Sequence, residues 1–135
     1  MKKLWVPLVV LLTLLLAGCS GDGQGGTEQY TSITPQEAKS MMEQLPDAVI
    51  LDVREHSEYE QGHIPGAVLL PVGDIGTQTA AEKIPSLDTP VLVYCRSGNR
   101  SKTASRALVK LGYRQVYEFG GILDWPYQVE KGTDE

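Results

Sequence analysis

The segment VLVYCRSGNRSKTASRAL, from Val91 to Leu108, carries the pattern on which the fold prediction rests. It opens with an unbroken apolar run rich in β-branched residues, which is typical of a strand buried on both faces of a sheet. Cys95 closes this run, and a short turn that contains Gly98 follows it. The residues after the turn predict an amphipathic helix whose apolar face comprises Ala104, Ala107, Leu108 and Leu111.

The rest of the chain repeats this alternation of strand and helix. Further apolar runs lie at residues 48–53, 67–71 and 115–119. One helix begins at a capping box, with Thr34 as the N-cap and Glu37 as the third helical residue, and extends to about Leu45. Shorter helices are predicted at residues 55–61, 72–84 and 122–130, the last after a turn at Gly120 and Gly121 and broken by Pro126. Since the strands are apolar throughout, the sequence predicts an α/β fold with a parallel sheet and helices on both faces.

The N-terminal segment has the features of an export signal. Lys2 and Lys3 precede an apolar stretch from Leu4 to Ala17, which is shorter than the about 20 residues of a membrane-spanning helix and fits a signal peptide. The next residues, LAGC, resemble the lipobox of bacterial lipoproteins, in which the peptide is cut before a cysteine that then carries the lipid. We therefore expect a signal peptide at residues 1–18, a lipid on Cys19, and a protein anchored to a membrane outside the cytoplasm. The alternatives are an ordinary secretion signal or an uncleaved anchor.

A polar, glycine-rich segment separates this signal from the remaining chain. Residues 19–29 comprise Cys19 and a stretch that has too little apolar surface to fold, so they predict a flexible tether. Residues 30–135 are then the single folded domain. The chain has 12 basic and 17 acidic residues, and removal of Lys2 and Lys3 makes it more acidic still. Such a charge balance argues against general binding of nucleic acid.

The basic residues that remain are concentrated around Cys95. No Asp or Glu occurs from Pro90 to Arg114, and this stretch contains six Lys and Arg residues. On the helix, Arg106, Lys110 and Arg114 fit a solvated face. Arg96 and Arg100 flank the cysteine, and there an anion site is the better interpretation. Ligands of parallel α/β sheets bind at the carboxyl ends of strands, where helix N-termini also favour negative charge.

The loop after Cys95 therefore predicts a nucleophile with an anion-binding cradle. Backbone N–H groups of Arg96, Ser97, Gly98, Asn99 and Arg100 can turn inward, because glycine permits a tight curl. Ser101 can cap the helix or bond to the sulfur. Such surroundings favour the thiolate over the thiol, so a lowered pKa of Cys95 is expected. The alternative, a buried inert thiol, does not explain the arginines beside it.

Other polar residues have mostly structural interpretations. Asp52 and Arg54 lie at the end of the strand predicted at residues 48–53, near the same sheet edge, and a salt-bridged network that supports the loops is favoured over an acid–base pair. His63 belongs to a turn and His56 to the surface, and two histidines without a second nearby thiol do not predict a metal site. Trp125 is expected in the core.

Three motifs, LDVREHSEYEQGHIPGAVLLP, VLVYCRSGNRS and FGGILDWP, resemble in order the signatures of the single-domain rhodanese family, across Thr34 to Trp125. The resemblance implies a five-stranded parallel sheet, with a short strand near residues 30–33 as the fifth. It also implies sulfur transfer: Cys95 takes a sulfane sulfur from a donor such as thiosulfate, becomes a persulfide, and passes the sulfur to cyanide or a thiol. Arg100 would close the loop and Arg96 would face the substrate, with no metal or organic cofactor.

The length of this loop and the presence of Cys95 decide how we rank the alternatives to a sulfurtransferase. Phosphatases with a related loop use Cys-x5-Arg, whereas the spacing from Cys95 to Arg100 is one residue shorter, which disfavours a phosphatase or an arsenate reductase. A thiol or persulfide exchange partner would need a second thiol from another molecule. A protein-binding module ranks third, since Cys95 is present.

Overall fold

The computed structural model describes residues 29–133, which form one five-stranded sheet with helices around it. The predicted signal peptide, Cys19 and the tether up to residue 28 lie outside the described residues. Within residues 29–133, no helix is long and apolar enough to cross a membrane.

The strands and helices alternate along the chain. Their bounds are β1 Thr31–Ser32, α1 Pro35–Gln44, β2 Val49–Asp52, α2 His56–Gln61, β3 Val68–Leu69, α3 Thr77–Lys83, β4 Val91–Cys95, α4 Asn99–Lys110 and β5 Val116–Gly121. Single 3-10 turns occur at Val72–Asp74 and Ile122–Asp124.

The sheet is parallel throughout, and its strand order is β1-β5-β4-β2-β3. β4 lies at the centre and all five of its residues are buried, as its unbroken apolar run predicts. β1 adds the fifth strand by pairing with β5 through Thr31 and Ser32. The predicted five-stranded α/β fold is therefore confirmed.

Successive β4 residues point to opposite faces of the sheet and so contribute to two separate cores. Leu92 and Tyr94 pack with Ala38 of α1 and Tyr59 of α2. On the other face, the core comprises Val91, Val93 and Cys95 of β4, Ala80 of α3, and Ala104 and Leu108 of α4. Helices therefore cover both faces, and Cys95 belongs to the side of α4.

The start of α1 follows the predicted capping box. Thr34 Oγ1 accepts a hydrogen bond from the Glu37 backbone N–H at 3.1 Å, and Glu37 Oε2 accepts one from the Thr34 N–H at 2.7 Å. Two backbone donors that the helix leaves unpaired are thereby satisfied. Because this motif is local, it forms as the sequence predicts.

Two predictions near the C-terminal end were wrong. Gly120 and Gly121 do not form a turn after the last strand; they belong to β5, and Gly121 pairs with Cys95 after a register shift in the β4–β5 ladder. The predicted helix at residues 122–130 is only the 3-10 turn Ile122–Asp124. Pro126 removes a backbone donor soon after this turn, so a longer helix cannot continue.

Candidate active site

The loop that follows β4 wraps around the sulfur of Cys95. Gly98 ends this loop with φ 105° and ψ −6°, a left-handed conformation that residues with a side chain rarely adopt. In this conformation the Gly98 N–H donates to Cys95 Sγ at 3.0 Å. A Cβ at Gly98 would also lie 3.5 Å from Gly120 Cα, so strand β5 passes close behind the loop.

The thiol of Cys95 is buried and surrounded by hydrogen-bond donors. The residue is 1% exposed, and its Sγ lies 3.5 Å from Ser101 Oγ. Burial by itself disfavours the thiolate, but the hydrogen bond with the Ser101 side chain and those from the backbone N–H groups of Ser101, Gly98 and Ser97 outweigh it. The pKa of the Cys95 thiol is consequently lowered. The direction agrees with the sequence-based expectation, although hydrogen bonds rather than the two arginines are the main cause.

Ser101 connects the sulfur to a buried carboxylate that the sequence did not reveal. Its hydroxyl lies 2.6 Å from Glu118 Oε1 and 2.9 Å from the Gly98 carbonyl oxygen. Glu118 comes from β5, is 3% exposed, and also accepts the Gly120 N–H at 2.8 Å. Glu118 therefore holds the Ser101 hydroxyl and also the β5 backbone at Gly120, where β5 lies close to the loop. In the sequence it is one acidic residue within a strand pattern, and nothing local marks it.

The guanidinium of Arg100 is held by Glu58 of α2. Its Nη1 and Nη2 donate to Glu58 Oε2 and Oε1 at 2.7 and 2.8 Å. Mainly because of this bidentate bond, and against the effect of burial, the pKa of Glu58 falls from 4.5 to about 2. Arg100 thus attaches the loop to α2, the role that the family resemblance implies. Its position beside Cys95 had suggested an anion site, but both Nη atoms are bound by Glu58. Glu58, 42 residues away in the chain, was missed.

Arg96 has a different environment at the exposed start of the loop. Its side chain makes no ion pair with any of the described residues 29–133. Its carbonyl oxygen accepts the Leu123 N–H at 3.2 Å, and a Cβ on Gly121 would overlap the same carbonyl. The backbone of the loop is therefore held against β5, while the Arg96 guanidinium remains available to a ligand. Ser97 and Asn99 are also exposed.

Asp52 and Arg54 form the buried supporting network that the sequence favoured. Arg54 Nε and Nη2 donate to the Asp52 carboxylate at 2.7–3.1 Å, and Nη2 also donates to the Gly62 carbonyl oxygen at 2.7 Å. Tyr94 donates its hydroxyl to Asp52 Oδ2 at 2.6 Å and accepts the Ile64 N–H at 3.0 Å. These bonds connect β2, β4 and the segment after α2.

Both histidines have the structural positions that were expected. His63 is buried, stacks on Tyr59 with ring centroids 3.8 Å apart, and its Nδ1 lies 2.9 Å from the Tyr59 carbonyl oxygen. His56 is exposed and pairs with Glu60 at 3.1 Å. Trp125 packs against Phe119 in the core. None of these rings contacts the loop around Cys95 among the described interactions.

The loop of backbone N–H donors can stabilise the Cys95 thiolate. It can also stabilise a second sulfur atom that is bonded to Cys95 Sγ and carries one negative charge. A lowered pKa increases the fraction of Cys95 that is thiolate, the form of cysteine that acts as a nucleophile. Preorganised N–H groups stabilise negative charge that develops at the sulfur without reorganisation. The chemistry that fits is nucleophilic attack by sulfur on a small electrophile.

Comparison with known proteins gives one consistent result. A family model described as "Rhodanese-like domain" matches residues 34–126. The thiosulfate sulfurtransferase GlpE of Pseudomonas fluorescens is 33% identical over 112 residues, which cover 79% of this chain and 98% of that protein. GlpE of Tolumonas auensis is 35% identical over 98 residues, covering 72% of this chain and 89% of that protein.

Other relatives are longer than the matched region. Proteins from Schizosaccharomyces pombe, Bacillus subtilis and Mycobacterium tuberculosis are 39%, 34% and 32% identical, and the match spans 66%, 59% and 29% of their lengths. Among solved structures, a rhodanese from E. coli with bound anions has a TM-score of 0.59 at 32% identity and covers 63% of this chain and 99% of its own. The Alr3790 protein of Anabaena has a TM-score of 0.68 at 28% identity, with coverages of 74% and 92%.

Proposed function

The chain belongs to the rhodanese-like domain family, and on this premise we propose that it is a sulfurtransferase that carries sulfane sulfur on Cys95. The observation that carries the proposal is the Gly98 N–H at 3.0 Å from Cys95 Sγ, within a loop whose donors lower the thiol pKa. Such a loop can accept one sulfur atom and the negative charge that it brings. The similarity to the GlpE thiosulfate sulfurtransferases supports thiosulfate as the donor class.

The first half-reaction transfers sulfur to the protein. The Cys95 thiolate attacks the outer sulfur of thiosulfate, and a bond forms between Sγ and that sulfur. The bond from the outer sulfur to the sulfonate sulfur breaks, and its electron pair leaves with sulfite. The product is a Cys95 persulfide whose terminal sulfur is negatively charged, and the inward N–H groups stabilise it.

The second half-reaction returns the thiolate. A nucleophile such as cyanide or a thiolate attacks the terminal sulfur of the persulfide, and the S–S bond to Cys95 breaks. The products are thiocyanate or a new persulfide, together with the Cys95 thiolate. Charge and atoms balance in both steps with no metal or organic cofactor.

The position of Arg100 favours sulfur transfer over phosphoryl transfer. A phosphate bound in the loop would need a guanidinium turned inward to meet its oxygens. Both Nη atoms of Arg100 instead donate to Glu58, and neither atom is directed to Cys95 by any described hydrogen bond. The loop is also one residue shorter than that of Cys-x5-Arg phosphatases.

Intact mass measurement tests the proposed function. The purified protein should gain the mass of one sulfur atom after thiosulfate and lose it after cyanide. Cys95→Ser should fold normally and gain nothing, because serine is a poor nucleophile for sulfur. If wild type gains no sulfur while its thiol still reacts with iodoacetamide, a role in thiol exchange or partner binding replaces sulfur transfer from thiosulfate.

We also propose that a lipid on Cys19 anchors the domain to the outer face of a membrane. The support is the LAGC sequence after a short apolar stretch. Cells that express the chain and are fed a labelled fatty acid should label the protein, and Cys19→Ala should abolish the label. A labelled Cys19→Ala protein, or an unlabelled wild type, would contradict the anchor.

A further inference from the structure

An open groove of about 260 Å³ lies beside the active loop. Its lining includes three charged side chains, those of Arg96, Arg54 and Glu58. Ile122 and Leu123 form an apolar rim, and Leu123 is 62% exposed. Because the Leu123 N–H donates to the Arg96 carbonyl oxygen, this rim is fixed to the loop that carries the nucleophile.

The groove has an uncompensated positive charge. Glu58 is bound by Arg100, and Arg54 is bound by Asp52. Among the charged side chains that line the groove, Arg96 alone has no partner of opposite charge within residues 29–133. An anionic ligand would therefore meet Arg96 without first breaking an existing ion pair.

Arg54 offers a second, preorganised donor. Its guanidinium is fixed by hydrogen bonds to Asp52 and to the Gly62 carbonyl oxygen, and its Cζ lies over the Tyr94 ring, 5.7 Å from the ring centroid. Its Nη1 has no hydrogen-bond partner among the described residues, yet it is not a buried unsatisfied atom. Since Arg54 lines the groove, Nη1 can donate to a ligand there, and little side-chain entropy is lost because the residue is already ordered.

The size and position of the groove indicate which reactant it holds. Its volume equals that of roughly eight or nine water molecules in the liquid, enough for a small organic molecule. In thiosulfate the sulfonate is bonded directly to the sulfur that is transferred, so this anion must lie at the loop itself. Apart from Arg96, the groove is lined by residues outside the loop, among them Gln61 and Leu123. It suits a reactant whose charged group is several bonds from its reacting sulfur.

We propose that this groove is the acceptor subsite, and that it selects small thiols that carry a carboxylate a few bonds from the sulfur. The inference rests on the proposed function. The acceptor thiolate attacks the terminal sulfur of the Cys95 persulfide, its carboxylate bonds to Arg96 and Arg54, and its carbon chain lies on Ile122 and Leu123. A new small-molecule persulfide leaves, and the Cys95 thiolate is restored.

The test measures discharge of the persulfide by two thiols. Protein loaded with sulfur and freed of donor is mixed with 3-mercaptopropionate or with 2-mercaptoethanol, and loss of the added sulfur is followed by intact mass. At equal thiolate concentration, wild type should react faster with the carboxylate thiol. Arg96→Gln should lower this preference by about fivefold, the effect of losing one partly exposed ion pair. Leu123→Asp should lower it as well, by repulsion.

Lys102→Gln is the matched control, because Lys102 is an exposed cation of α4 that does not line the groove. It should leave the ratio of the two rates unchanged. Equal rates for both thiols in wild type, or an Arg96→Gln change that slows both equally, would overturn the inference. If thiosulfate fails to load Cys95, the proposed function fails at that step, and loading by inorganic polysulfide still allows the groove to be tested.

Discussion

Replacement of Glu58 by glutamine should weaken the attachment of the active loop to α2. Glu58 binds both Nη atoms of Arg100 and also accepts the Glu55 N–H at 2.9 Å. Glutamine keeps the size and one acceptor oxygen, but it has no charge and cannot satisfy both guanidinium nitrogens. The substitution therefore removes the ion pair and leaves the backbone of α2 almost unchanged.

The expected loss of stability follows from the pKa of Glu58. The bond to Arg100 lowers that pKa from 4.5 to about 2 in the folded protein, and the whole shift corresponds to about 3 kcal/mol. The side chains of Arg100 and Glu58 are 34% and 27% exposed, so solvent screening reduces the effect on stability to about 1–1.5 kcal/mol. Because the folded pKa is depressed, the stabilisation is complete above the unfolded value of 4.5 and is lost as the pH falls towards 2.

Urea denaturation of wild type and Glu58→Gln at several pH values measures this difference. At pH 7 the variant should have the lower free energy of unfolding, and the two curves should converge between about pH 4.5 and pH 2. Glu60→Gln is the control, because Glu60 lies on the same helix and its side chain pairs with the exposed His56. Equal stability at pH 7, or a difference that persists undiminished near pH 2, would refute the reasoning.

Two further substitutions test the loop itself. Ser101→Ala removes a hydroxyl that lowers the pKa of Cys95, so the midpoint of iodoacetamide alkylation should move to higher pH; an unchanged midpoint would exclude this hydrogen bond as a cause. Gly121→Ala places a Cβ where the Arg96 carbonyl lies, so it should destabilise the fold by at least about 2 kcal/mol and abolish sulfur transfer. Gly73→Ala, which meets no atom within 4 Å, is its control, and equal thermal stability of the two variants would contradict the steric argument.

The local features of the active loop could be read from the sequence. The apolar run of β4 predicts a buried central strand, and Cys95 at its end must then lie at the carboxyl edge of the sheet. Gly98 at the curl and a helix directly after it predict inward N–H donors, and the structure has the Gly98 N–H on Sγ. These predictions succeed because each one depends on residues that are adjacent in the chain.

The acidic partners of the loop depend on contacts that local patterns do not contain. Glu58 and Arg100 are 42 residues apart, and Ser101 and Glu118 are 17 apart. Each carboxylate lies in a segment whose own pattern predicts an ordinary solvated or strand position. Only the packing of α2 and β5 against the loop brings them into contact with Arg100 and Ser101.

The sequence by itself determined four of the five strands, most of the helices, and the position of Cys95 at a sheet edge, because hydrophobic periodicity and turn chemistry act over a few residues. The tertiary structure alone decided which charges are compensated. It neutralises Arg100 with Glu58 and leaves Arg96 without a described partner, since ion pairing depends on distance in space and not on spacing in the chain. Two arginines that look equivalent beside one cysteine thereby differ, one holding the loop and the other facing the groove.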